Sequence, residues 1–364
     1  YSPDAFGKRR FCDARVWCMF KRAAPSKNLP ADWVLGDEEA EPVPLWIKPD
    51  RKLTVADVMG FMRDHFEGTE LDMTTDRGAG PYGLPYRWRP LTWKSGEEEY
   101  FNERAVSTQQ TGFSFVAQSR GHLPREIGGV LWYGVDDTYS TVYFPVYAGV
   151  TAVPHAFAEG TGSFEEVDLD AAFWRFNQVS NFAYLRYSDM ILDIQKVQQE
   201  LEGRFLSDQD AVDQAAVALM EQSPRLAREY LTDYTRTTGE TVMARWSELS
   251  DFLLYKYLDG NVKDAQGNVT HPGYPDSWYE EVSTSTDDRL QMRRMPAELA
   301  LKAEQKAKAL QIAGAVLTLL EGRGIVVDDD SRTAIEAVED PGKMKDMLVL
   351  AATAESAAEL LPND

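Results

Sequence analysis

The side chains able to do chemistry are few and scattered. Cys12 and Cys18 stand six positions apart, with Arg9, Arg10 and Arg15 around the first. A reactive thiol needs such an electropositive, partly exposed setting. Positions six apart do not share a helix face, however, and no histidine is near, so both read as buried, inert thiols. The histidines His65, His122, His155 and His271 have no metal-ligand spacing, and no Gly-x-Ser-x-Gly elbow occurs. Neither a metal nor a cofactor is expected. Acid pairs such as Asp136-Asp137 and Glu165-Glu166 arise readily in so acidic a chain, and the first reads as a turn, where Asp is favoured locally. Gly78-Ala79-Gly80 runs into Pro81 and further turn residues, so it is not a phosphate loop.

The elements that must position these groups begin with a folded, acidic chain. The 364 residues carry 43% hydrophobic side chains and a formal net charge of −21, with Lys+Arg 38 against Asp+Glu 59. The length supports a substantial core. The acid is spread along the chain, which argues against nucleic acid and against anionic membranes as partners. No apolar run reaches the ~18 residues of a membrane-crossing helix, and no signal peptide is visible. Two thiols do not fix a redox compartment, so a cytoplasmic and an exported location both stay open. The chain starts at Tyr1, and Tyr1-Ser2-Pro3-Asp4 reads as a turn from inside a longer protein.

Along the chain, a helix is expected over residues 5 to 24, then loop to about 52. Lys52 to Glu67 reads as a helix with Thr54 and Asp57 as a capping box. Residues 71 to 95 are broken by Gly and Pro and carry Tyr82, Tyr86, Trp88 and Trp93. Three strands follow, Phe113 to Gln118, Gly129 to Val135 and Ser140 to Tyr147, the last two joined by a tight hairpin at Asp136 to Tyr139. The second and third show little polar alternation, which predicts burial on both faces. From about 168 the chain is helical. Asp168, and Ser207 with Asp210, are read as helix caps, and Pro224 suits a first helical turn. A further helix is expected over 240 to 258, an excursion over 259 to 291, a long helix from Met295 to Gly322, and two short ones after it. Three strands are too few for so large a chain. A segment upstream of Tyr1 is the economical source of the missing ones.

Several stretches resemble one family in order. They are Arg10-Phe11-Cys12-Asp13-Ala14-Arg15-Val16-Trp17, Ala105 to Phe113, Pro124 to Trp132, Tyr143-Phe144-Pro145-Val146-Tyr147 and Ala172-Phe173-Trp174-Arg175-Phe176-Asn177. Together they resemble the PepD-type cysteine dipeptidases, which are N-terminal nucleophile (Ntn) hydrolases. The resemblance implies an α+β chain, an incomplete αββα sandwich over 1–167 with a large helical part over 168–364 packed on it as one domain. It implies dipeptide hydrolysis by an N-terminal cysteine whose α-amino group is the base. Tyr1 cannot do that work, so no catalytic residue is assigned here. The nucleophile is expected upstream of Tyr1, on an N-terminal fragment of the same protein that would be this chain's partner. Alone, this chain is expected to be inactive; a homo-oligomer stays open. Arg104 would then hold a peptide carboxylate, Asn102 an oxyanion, and Thr108, Gln109 and Gln110 the peptide backbone. Tyr139, Ser140 and Thr141 would lie beside them. The rival readings are another Ntn amide hydrolase acting on an acyl amide, and a non-catalytic module binding peptide or, through Tyr82, Tyr86, Trp88 and Trp93, carbohydrate.

Overall fold

The computed structural model of this chain describes residues 7, 9–287, 289–292 and 296–361. The turn expected at Tyr1 to Asp4 and the helix start at Met295 lie outside them. The chain divides into two compact units, Tyr1–Glu281 and Val282–Asp364. The helical part read from residue 168 onward is therefore shared between the two.

The first unit opens with a π-helical turn, Arg9–Asp13, that runs into α1, Ala14–Ala23. Helix α1 buries Ala14, Trp17 and Cys18 among Val34, Phe66 and Leu71. The capping box at α2, Val55–Met62, forms as its spacing predicts: Asp57 N donates to Thr54 Oγ1 at 3.2 Å, and Thr54 N to Asp57 Oδ2 at 2.8 Å. The helix ends before the expected Glu67, and Phe66 stands at a φ of 67°, which no helix contains. An exposed hairpin of β1, Thr92–Ser95, and β2, Glu98–Phe101, follows. Its residues are nearly all exposed, so no buried alternation marks it in the sequence.

Strands β3, Phe113–Ser119, β4, Gly129–Val135, and β5, Phe144–Tyr147, form one antiparallel sheet in chain order. Val116 faces Trp132, and Trp132 faces Pro145. Strand β5 starts at Phe144 rather than Ser140, because residues 136 to 143 form a wide, inward-folded connection instead of a tight hairpin. Its first residue, Asp136, has a φ of 63°, and Thr141 N returns to Asp137 O at 2.9 Å. On one face of the sheet Val116, Val130, Trp132 and Tyr147 join the main core. On the other face Phe113 is 59%, Phe115 47% and Leu131 42% exposed. Strand β4 is therefore not buried on both faces, although β5 largely is.

Helices α3, Ala172–Ala183, α4, Tyr187–Gln222, and α5, Pro224–Lys256, pack around this sheet. Asp168 caps the turn before α3 and not the helix, whose N-cap Ala171 makes no side-chain bond. Ser207 and Asp210 do not start a helix either. Both lie within α4, where Ser207 Oγ bonds back to Arg204 O at 2.8 Å, a habit of helical Ser. Pro224 does begin α5, capped by Ser223. The pairs Arg245–Glu200 and Lys256–Asp193 show α4 and α5 running antiparallel. A small hairpin of β6, Val262–Lys263, and β7, Val269–Thr270, precedes α6, Asp276–Ser285.

The second unit holds α7, Ala297–Gly322, α8, Asp329–Glu336, and α9, Pro341–Ala351. They share a core of Ala309, Ala313, Val316, Leu320, Ile335 and Met344. Helices and small antiparallel sheets in one chain make the class α+β. Among the described residues, no helix is long and apolar enough to cross a membrane.

Candidate functional site

Where β4 ends, the left-handed turn at Asp136 points two adjacent carboxylates inward, each 1% exposed. Asp136 accepts from Asn177 Nδ2 at 2.8 Å and Ser180 Oγ at 2.7 Å, both on α3. Asp137 Oδ1 accepts from the Tyr86 hydroxyl, from Tyr139 N at 3.0 Å and from Ser107 Oγ at 3.3 Å. Its Oδ2 accepts from Tyr184 OH at 3.1 Å. Tyr86 also meets His65 Nε2 at 2.8 Å, and His65 Nδ1 meets Glu67 at 3.2 Å. Segments far apart in sequence thus converge on one buried acid pair.

Burial pushes the Asp136 carboxyl up to about 7; Asn177 and Ser180 pull against it, and neighbouring Asp137 adds to the push. Burial and Asp137 push the Tyr86, Tyr184 and Tyr187 phenols far up. Tyr86 and Tyr184 donate hydrogen bonds to Asp137, while the buried Tyr187 hydroxyl has no hydrogen-bond partner. A carboxyl poised near neutrality is the usual mark of a functional site. Here the pair is enclosed and ties together the loops around it. In the sequence alone, Asp136-Asp137 reads as a local turn. The available signal was the unbroken polar run Asp136-Asp137-Thr138-Tyr139-Ser140-Thr141 between two apolar strands, too long for a tight turn.

The residues expected at the site fall into two groups. Tyr139, Ser140 and Thr141 face into the protein. The Tyr139 ring packs on His65 at 4.5 Å, Ser140 Oγ donates to Asp137 O at 3.3 Å, and the fully buried Thr141 donates to Val135 O at 2.7 Å. Thr108 and Thr111 close a turn, with Thr111 Oγ1 on Thr108 O at 2.8 Å, and Gln109 Nε2 holds Arg87 O at 2.8 Å. That turn and the 136–141 connection meet through Ser107 and Asp137. Asn102 lies farther out, its backbone N on Leu91 O at 2.8 Å, and Gln110 and Arg104 are exposed.

Beside the acid pair, Gly112 and Val135 border a cavity of about 470 Å³ walled by Phe113, Tyr133, Phe157, Phe164 and Trp174. Trp174 Nε1 donates to Ser163 O at 2.7 Å and holds its outer loop. Cys18 is remote from this cavity's lining and unsuited to attack. It is buried, its Sγ lies 3.0 Å from Asp64 Oδ1, and burial and that carboxylate push the thiol far up. Cys12 is free and half-buried. Among the described residues, no three His, Cys, Asp or Glu side chains gather as a metal would require.

The chain matches Peptidase family C69 over residues 1–200, and it belongs to that family. It is 22% identical over 244 residues to a probable dipeptidase A of Streptococcus pyogenes serotype M3 (strain SSI-1), covering 66% of this chain and 47% of the relative. It is 23% identical over 203 residues to a probable dipeptidase of Latilactobacillus sakei, covering 55% and 37%. A probable dipeptidase of Salmonella dublin is 28% identical over 150 residues, covering 41% and 29%. The chain spans less than half the length of each of these relatives.

Proposed function

We propose that this chain is the substrate-organising part of a dipeptidase whose nucleophilic cysteine lies outside these 364 residues. The membership of Peptidase family C69, with relatives named as dipeptidases, carries the reading. The uncovered face of β3 and β4 supports it. An antiparallel sheet can leave one face to water, but that face is then polar. Here Phe113, Phe115 and Leu131 stand on it, so a further layer, supplied by another segment of the same protein, completes an αββα sandwich. The inertness of Cys18 agrees with a nucleophile brought by that segment. An N-terminal cysteine would use its own α-amino group as base and attack the peptide carbonyl; the amine would leave once protonated, and water would then hydrolyse the resulting thioester to release the acid and restore the thiol. Exposed Arg104 and Gln110 are the members of the expected set best placed to meet a substrate, and Thr108 and Gln109 shape the turn beneath them.

Assay of the full-length protein against dipeptides and N-acyl amides tests this. Dipeptide hydrolysis is the expected result. Cleavage of acyl amides alone would place the protein among other amide hydrolases. The carbohydrate reading loses support from Tyr86, which is 4% exposed and donates to Asp137, so it cannot stack on a sugar.

A further inference from the structure

Several arginines of this strongly acidic chain make no ion pair, and three of them stand near one another. Among the described residues, Arg15, Arg89 and Arg104 make no ion pair, while most other arginines do. The fold gathers them. Leu91 O accepts from Asn102 N at 2.8 Å, one step beyond the β1–β2 pairing, and Arg15 and Arg89 lie close enough to Arg104 to act on its charge. Arg10 forks onto Glu103, and Phe11 packs edge-on to Phe101 at 5.6 Å, which ties the start of α1 to the same strand end. Arg15 Nε folds back on Phe11 O at 2.8 Å, so its guanidinium stays at that junction. Although Arg104 is exposed, the desolvation it does undergo and the nearness of Arg15 and Arg89 hold its pKa below the usual range. The one acid in this strand end, Glu103, is taken by Arg10.

Like charges gathered without counter-charges oppose folding, and nothing in the packing requires them. The cluster also borders the expected site: Trp88 lies 6.0 Å from Tyr184, a donor to Asp137, and Gln109 holds the carbonyl of Arg87. We propose that Arg15, Arg89 and Arg104 form an anion-binding cluster that takes the two carboxylates of a dipeptide ending in an acidic residue. This rests on the dipeptidase reading and narrows it. One guanidinium answers the terminal carboxylate, and the remaining charge answers the side chain, in the bidentate manner arginine favours.

The test compares Ala-Glu with Ala-Gln, which shares every group except the side-chain charge. In the full-length enzyme, kcat/KM for Ala-Glu should exceed that for Ala-Gln by about tenfold or more, the scale of one charge-assisted hydrogen bond. Arg104→Gln or Arg89→Gln should collapse that ratio toward one, and added salt should shrink it. Equal rates for the two peptides, or a ratio unchanged in both variants, would overturn the proposal. If no dipeptide is cleaved, the dipeptidase reading fails by itself, and calorimetry of the full-length protein with succinate decides the cluster. Succinate binding lost in the Arg15→Gln/Arg89→Gln/Arg104→Gln variant, with its melting curve kept, supports the site. Binding that is absent in the parent, or equal in both proteins, removes it.

Discussion

Asp136 couples this fold to pH through a single buried carboxyl. Its folded-state value of about 7 stands above the ~3.9 of an unfolded aspartate. The folded state therefore binds the proton more tightly. The stability this gives is complete below about pH 4 and is lost as pH rises through about 7. Asp136→Asn keeps acceptor and donor atoms for Asn177 and Ser180 and tolerates the positive φ. The variant should gain stability relative to the parent at pH 8 and match or fall slightly below it at pH 4.5. Melting both proteins at the two pH values checks this, and the gain is on the order of 4 kcal/mol at most. Arg63 holds the same 136–143 connection from another side. It bonds Glu202 and the carbonyls of Thr138 and Thr141, and Glu202 in turn accepts from Tyr143 N at 2.8 Å. Arg63→Met leaves a buried carboxylate alone and should cost about 3–5 kcal/mol in denaturant unfolding. Neither role was legible in the sequence. The partners of Asp137 come from positions 86, 107, 139 and 184, and only the tertiary fold brings them together.

At the scale of elements, the close approach of α5 to the sheet depends on Gly239. A Cβ there would stand 2.3 Å from Pro154 Cγ, with Phe144 also near. Ala is ordinarily the better helix former by about 1 kcal/mol. Gly239→Ala should nevertheless destabilise the protein by about 1–3 kcal/mol, because the proline ring is rigid and must move. Thermal unfolding of the variant measures the sign. Locally encoded features were legible: the Thr54–Asp57 box, Pro224 at the start of α5, and Gly129–Val135 as a strand. Features set by distant packing were not. Ser207 looked like a cap, yet Phe205 and Val212 on either side bury into the core, and that keeps α4 helical through it. The Gly129–Val135 strand was legible, but its open side at Leu131 was not, since its lack of polar alternation reads as burial on both faces.

At the scale of the whole molecule, two separate cores predict two separable units. A chain ended at Ser285 keeps every residue of the sheet core and should unfold cooperatively at nearly the parent's denaturant midpoint for that unit. Loss of its near-ultraviolet signal would show instead that residues 286–364 are needed for the first unit to fold. The family was legible from ordered segments in the first half of the chain, where the match to Peptidase family C69 also lies. The anion cluster was only hinted at by Arg104, because its members are joined through the strand end and not through sequence spacing. On the proposed dipeptidase reading, a cysteine outside these residues attacks the peptide bond. Full-length protein treated with an electrophilic dipeptide analogue, then digested and mass-mapped, tests it directly. One adduct is expected, on an N-terminal cysteine beyond this chain, with Cys12 and Cys18 unmodified. An adduct on Cys12 that parallels loss of activity would contradict it.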